Sequence, residues 1–356
     1  MKRILFTLCI VVVFNFLVQN VCADELSELK AQVKNMQKTI DEGLKKPLFV
    51  KIGHGDLTIS GFVQALYRHY QHQLDSANDS FRVPRARLKL DGNVIDDFGY
   101  RIQVDVASSS SILRDAYIRY TKYPFANVIV GQTLIPFSEE QLSSPTNFEF
   151  IDLTTVTSAL SYDRDIGVKL EGELFDKRLS YGAGIFNGSG INRADNNNSK
   201  DVVTRVVISP FKGKNKLLAG LSLGAAFQYG KQPRVEDAEG NRTVIGALAK
   251  YEYNKLKIQS EYLFRRQEQI PGLSDKDACG WYIMTAYYFL PKLQAAARYE
   301  EYDPNRDVSR NKEDILTLGL NYFFNDYLRL QTNYRFKNDQ SEASSNDFAL
   351  QLTISY

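Results

Sequence analysis

Histidine, cysteine and tryptophan are scarce in this 356-residue chain, at three, three and one. Cys9 and Cys22 lie in an apolar leader, so Cys279 stands by itself, which excludes a disulfide framework and a cysteine-based metal site. Phosphate loops and metal-ligand spacings are absent, and no cofactor or metal is expected. A hydrolase would need a base beside a nucleophile or an orienting carboxylate. His54, His69 and His72 have no partner evident in the sequence, so a lipase or protease is the weaker expectation and no catalysis is assigned. An excess of one charge is also lacking. Removing Lys2 and Arg3 from the 44 basic residues leaves 42 against 42 acidic ones, so nucleic-acid binding has no global electrostatic support. After the leader no run is apolar enough for a transmembrane helix, and the mean hydropathy is −0.32. That excludes a helical membrane protein. It leaves open a strand-built one, in which only every second residue meets lipid.

The leader itself, residues 1–23, reads as a secretory signal. Lys2 and Arg3 precede the apolar stretch Ile4 to Val18, and Val21, Cys22 and Ala23 precede a cut before Asp24. The stretch is short of the roughly 20 residues that an uncleaved spanning anchor needs. A lipoprotein signal at Cys22 fits less well, because Val21 is large. Next, Leu26, Leu29, Val33, Met36 and Ile40 alternate spacings of three and four. This a/d seam predicts a short coiled-coil helix over residues 24–47, with a helix docked on its own domain as the alternative.

From Asp56 the period becomes two and stays so. In Pro84–Leu90, Ala86, Leu88 and Leu90 face one way and Arg85, Arg87 and Lys89 the other. The same alternation runs through Tyr100–Val106, Ile166–Leu174, Leu221–Tyr229, Leu316–Tyr322 and Leu328–Phe336. About sixteen such segments of about ten residues, joined alternately by short and long polar links, predict an all-β fold: a transmembrane antiparallel β-barrel over residues 53–356. The last strand, Phe348 to Tyr356, alternates to the final residue. As a free edge it would invite aggregation, and barrel closure removes that edge.

Lipid tolerates the apolar face only, so the charged face is inward. The inward basic residues include Arg68, Arg85, Arg87, Lys89, Arg101, Arg119, Lys169 and Arg205. Inward acids are fewer: Asp105, Asp115, Glu171, Glu173, Glu261 and Glu300. The run of basic residues on neighbouring strands would repel itself, so an anion or a loop should compensate it. A long connection over residues 132–163 offers such a loop. It carries Glu139, Glu140, Glu149 and Asp152, with no Lys or Arg between Pro136 and Asp163. A connection of that length is usually functional. The expectation is a constriction in which an acidic loop faces a basic wall and sets a transverse field.

Phe81–Leu88, Asp115–Ile118, Val130–Ser138, Arg164–Val168 and Gly319–Tyr322 together resemble the porin O and P family, over about Gly53 to Tyr356. The resemblance implies a homotrimeric, sixteen-stranded outer-membrane porin with its third loop folded inward. It also implies a basic pore-wall role for Arg85, Arg87 and Arg119. Phosphate selectivity, which in the family depends on stacked arginines and loop lysines, is not carried over, because this loop has no lysine. The expected function is passive diffusion of ions and small polar or anionic solutes across the outer membrane. The partners would be outer-membrane lipid, the other copies of a trimer and the solutes in transit. The alternative is an envelope tether in which the periplasmic helix holds peptidoglycan.

Overall fold

A computed structural model describes residues 48–52, 55–71, 78–109, 111–231, 240–268, 275–340 and 345–356. The expected signal, residues 1–23, and the expected coiled coil, residues 24–47, lie outside the described residues. A short strand, β1 (Leu48–Ile52), is followed by sixteen long ones. The first of these are β2 (Gly55–Tyr70), β3 (Ser80–Ile95), β4 (Phe98–Asp105), β5 (Leu113–Tyr123), β6 (Ala126–Leu134) and β7 (Arg164–Leu174). Then come β8 (Leu179–Phe186), β9 (Asp201–Ile208), β10 (Leu221–Lys231), β11 (Asn241–Tyr253) and β12 (Leu256–Gln267). The series ends with β13 (Lys276–Leu290), β14 (Leu293–Asp303), β15 (Glu313–Phe323), β16 (Leu328–Asp339) and β17 (Ser345–Ser355). Each pairs antiparallel with the next, and β17 returns to β2 with Ser355 opposite Phe62 and Asp347 opposite Tyr70. Tyr356 and Gly61 exchange two backbone hydrogen bonds at 3.0 Å. The barrel is closed, so no long edge is left to aggregate.

Alternation explains the two faces. Ile129 is 5% exposed and its neighbour Val130 is 50% exposed. The outward set, including Ile118, Val168, Ile185 and Leu318, forms an apolar belt around the barrel. No helix among the described residues is long and apolar enough to cross a membrane. The links fall into two groups, as the alternation of link lengths predicts. Residues 96–97, 124–125, 254–255 and 291–292 turn tightly at one end, and longer links lie at the other. Residues 209–220 depart from that rule, being a long link at the short-turn end.

The expected inward loop begins later than residue 132, since β6 continues to Leu134 and the loop proper is 135–163. Nor is it structureless. It holds two short helices, α1 (Glu139–Leu142), capped by Ser138, and α2 (Thr155–Leu160), capped by Thr154. Its apolar residues are what bring it into the lumen. Ile135, Phe137, Val156 and Leu160 pack against inward Phe186, Val203, Val244, Leu263 and Ala278. Phe150 packs on Tyr282, Met284, Ala286 and Ala296, and Ile151 on Leu66 and Ala349. The wall makes room with small residues. A Cβ at Gly280 would stand 2.7 Å from Val156 Cγ2 and 2.8 Å from the Glu301 carbonyl, so the close approach of α2 requires glycine there.

Candidate pore and constriction

The loop is locked by side chains of the wall. Glu261, on β12, accepts hydrogen bonds from the backbone N–H groups of Glu139 (3.1 Å) and Glu140 (2.9 Å) and from the Ser138 hydroxyl (3.2 Å). Tyr282 adds a fourth donor at 2.7 Å. Glu300, on β14, accepts from the Thr155 N–H at 2.6 Å. These carboxylates take up orphan donors at the starts of α1 and α2. Arg242 is fully buried and stacks on Tyr162, 3.9 Å from the ring centroid, while pairing with Asp201. Arg298 lies over Phe150 at 4.6 Å.

The loop carboxylates do not face a basic wall across open space. Glu139 pairs with Arg205 and Lys250, Glu140 with Arg298, and Glu149 with Lys257 at 2.8 Å. Asp152 pairs with Arg68, and Arg335 lies 3.7 Å away. The expected transverse field is therefore corrected. These acids are consumed in fastening the loop to strands β9–β16 and β2, the surface on which its apolar side is seated. Burial alone would raise the Asp152 carboxyl, but Arg335 and Arg68 outweigh it and hold it below its ordinary value. Asp163 is likewise held low against burial, by Arg164 and Arg114.

One opening beside the loop is a cavity of ≈ 580 Å³ between the loop and strands β3–β5. Arg85, Arg87, Lys89, Arg101, Arg114 and Arg164 line it, against the acids Asp105, Asp115 and Asp163. Six cations against three carboxylates leave an excess of three in the lining, of which one, Arg101, pairs with Asp91 at 2.5 Å just outside it. Arg87 pairs with Asp105 at 2.9 Å and Arg164 with Asp115 at 2.6 Å. Arg85 has only the Gln64 amide, at 3.0 Å, and neither it nor Lys89 has an ion-pair partner among the described residues. On the loop side of this cavity Gln141, Leu142, Ser143, Ser144 and Pro145 are uncharged, and the one carboxylate, Asp163, is held by Arg114 and Arg164.

Of the eight basic residues expected on the wall, the structure gathers Arg85, Arg87, Lys89 and Arg101 around this one cavity. Arg119 lies one step toward the short turns, on Asp91 with bonds of 3.0 and 2.9 Å. Arg68 and Arg205 serve the loop, and Lys169 pairs with Glu171 at 2.9 Å outside the cavity. Sequence reasoning missed Arg114, Arg164 and Arg242, which sit at or near strand ends, where alternation is weak. It placed Glu261 and Glu300 inward without their capping role. His69, for which no partner is evident in the sequence, meets Asp79 at 2.6 Å, and both are exposed. The pair bridges the end of β2 to the start of β3, and the His69 hydrogen bond holds the Asp79 carboxyl below its ordinary value.

Comparisons with known proteins agree on the architecture. OmpT of Vibrio cholerae in its trimer form is 14% identical with a TM-score of 0.66, over 85% of this chain and 100% of that one. An anion-selective porin from Comamonas acidovorans is 14% identical with a TM-score of 0.64, over 85% and 100%. OmpF of Salmonella typhi, solved with daunomycin, is 12% identical with a TM-score of 0.62, over 87% and 100%. At these identities the likeness is one of fold. An uncharacterised Aquifex aeolicus protein is 26% identical over 247 residues, 58% of each chain. An uncharacterised Caulobacter vibrioides protein is 27% identical over 164 residues, 43% of this chain and 32% of that one. The chain thus spans less than two thirds of the length of either curated relative. The model of a family described as phosphate-selective porin O and P matches residues 56–244 and 235–353.

Proposed function

This chain belongs to the phosphate-selective porin O and P family, and from that premise we propose that it is an outer-membrane porin passing small anions by diffusion. The observation that carries the reading is the open cavity. Its wall has an excess of cations, its loop side carries a single carboxylate, Asp163, already paired with Arg114 and Arg164, and Glu139, Glu140 and Glu149 are turned into ion pairs elsewhere. Fixed charge and pore width set selectivity in such channels. Solutes need only a water-filled passage, with no catalytic step. The preference extends to small anions in general and not to phosphate alone, because the loop supplies no lysine.

The finer features are part of the same proposal. Residues 1–23 direct export, 24–47 form a periplasmic coiled coil, and 53–356 sit in outer-membrane lipid as a homotrimer. The trimer form of the OmpT neighbour supports the last point. Planar-bilayer recordings in a KCl gradient test the function. The expected reversal potential shows an anion preference that weakens in the Arg85→Ser, Lys89→Ser double variant. A cation preference overturns the selectivity, and absence of any conductance overturns the channel.

A further inference from the structure

A second cavity, of ≈ 390 Å³, lies between the loop and strands β11–β16. Its wall carries Phe148 from the loop and inward Tyr288 and Phe323 near the short turns. The inner face of a water-filled barrel is ordinarily polar, so a cluster of inward rings there is out of pattern. The Tyr288 and Phe323 ring centroids are 5.6 Å apart, tilted by 38°. The Arg329 guanidinium stands 5.7 Å from the Phe323 centroid. It donates to the Phe148 carbonyl at 3.0 Å and to Gln331 Oε1 at 2.8 Å, and it has no carboxylate partner among the described residues. The other charges on this wall are paired. Glu149 holds Lys257, Glu140 holds Arg298 and Glu252 holds Lys250, and Asp152, also on this wall, is held from outside it by Arg68 and Arg335. Arg329 is the cation left over, beside the rings.

We propose that this cavity is a subsite for a ring-bearing organic monoanion of about the size of benzoate, whose ring lies on Phe323 and Tyr288 and whose carboxylate faces Arg329. The class follows from the two features together. A bare inorganic anion makes no use of the rings, and a neutral ring makes no use of the unmatched cation. The inference rests on the porin reading, in which anions enter the lumen that both cavities share with the loop. A ring-on-ring contact changes affinity by about two- to tenfold.

Two measurements on the full-length protein test it. In bilayers, block of each channel's own chloride current by benzoate, acetate and glucose is titrated. In detergent, benzoate binding is followed by calorimetry. Benzoate is expected to block and bind at about two- to tenfold lower concentration than acetate. That advantage should shrink in Phe323→Leu and Tyr288→Leu, which keep apolar bulk, and benzoate affinity should fall in Arg329→Gln. Equal action of benzoate and acetate, or an advantage unchanged by the leucine variants, overturns the subsite. Glucose acting as strongly as benzoate makes it a site for neutral rings and overturns the anion class. A silent channel overturns the porin reading, and calorimetry then decides the subsite by itself.

Discussion

The Glu261 carboxylate collects four donors: two backbone N–H groups of α1, the Ser138 hydroxyl and the Tyr282 hydroxyl. It is 3% exposed, so each donor it satisfies would otherwise be left without water. Gln at this position keeps one acceptor but turns an NH2 group toward the donors. Hydrogen bonds to a charged group contribute about 1.5–3 kcal/mol, so Glu261→Gln should weaken loop docking by about that amount. The barrel itself should persist, migrating as a heat-modifiable band in detergent gels. The expected outcome is greater open-channel noise and a higher mean conductance in single-channel records. Traces indistinguishable from wild type would deny Glu261 its role as a loop-positioning residue.

The loop shows which forces act at the scale of an element. Seven of its apolar side chains, Ile135, Phe137, Phe148, Phe150, Ile151, Val156 and Leu160, are buried. Each contributes about 1.5–3 kcal/mol by burial. An exposed ion pair contributes about 0–1 kcal/mol, and in the more buried ones, such as Arg298 with Glu140, desolvation offsets much of the attraction. Apolar contact therefore seats the loop, and the ion pairs fix its orientation. The sequence made the loop's length and acidity legible, because both are local. Where Glu139 or Asp152 would find a partner was not legible. Arg205 and Arg68 are distant in the chain, and only barrel closure brings them to the loop. The same pins give a pH dependence. Asp152 and Asp163 are held below the ordinary carboxylate value of about 4 by their arginines. A lowered folded value means stabilisation that is full above the unfolded value and is lost as pH falls through the folded one. Single-channel recordings from neutral to strongly acid pH should therefore differ between wild type and Asp152→Asn, Asp163→Asn. The double variant should show at pH 7 the looser loop that wild type reaches only below pH 4. Identical behaviour at every pH would remove these two residues from the anchoring.

For the whole molecule, the period of two was enough to orient most strands, since Val130 and Ile129 differ by one position and by 45 percentage points of exposure (50% against 5%). Tight links such as 254–255 force neighbours in sequence to be neighbours in the barrel, so the strand order was legible as well. The link at 209–220 was not, because its length imitates the opposite end. The outward apolar belt yields a test that depends on lipid. Leu318 lies at the middle of β15, with Leu316 and Leu320 facing the same way. Leu328 also faces outward, but it is the first residue of β16, beside the short link 324–327. An arginine facing lipid costs about 2–4 kcal/mol at the bilayer midplane and about 0–1 kcal/mol near the interface. Leu318→Arg should lower the unfolding free energy by the larger amount and Leu328→Arg by the smaller, in reversible denaturant titrations from vesicles. In a soluble barrel both leucines would face water and the two substitutions would cost alike. A gradient of cost with depth is the result expected if this belt meets hydrocarbon, and an equal cost at the two positions would contradict the membrane placement on which the channel reading depends.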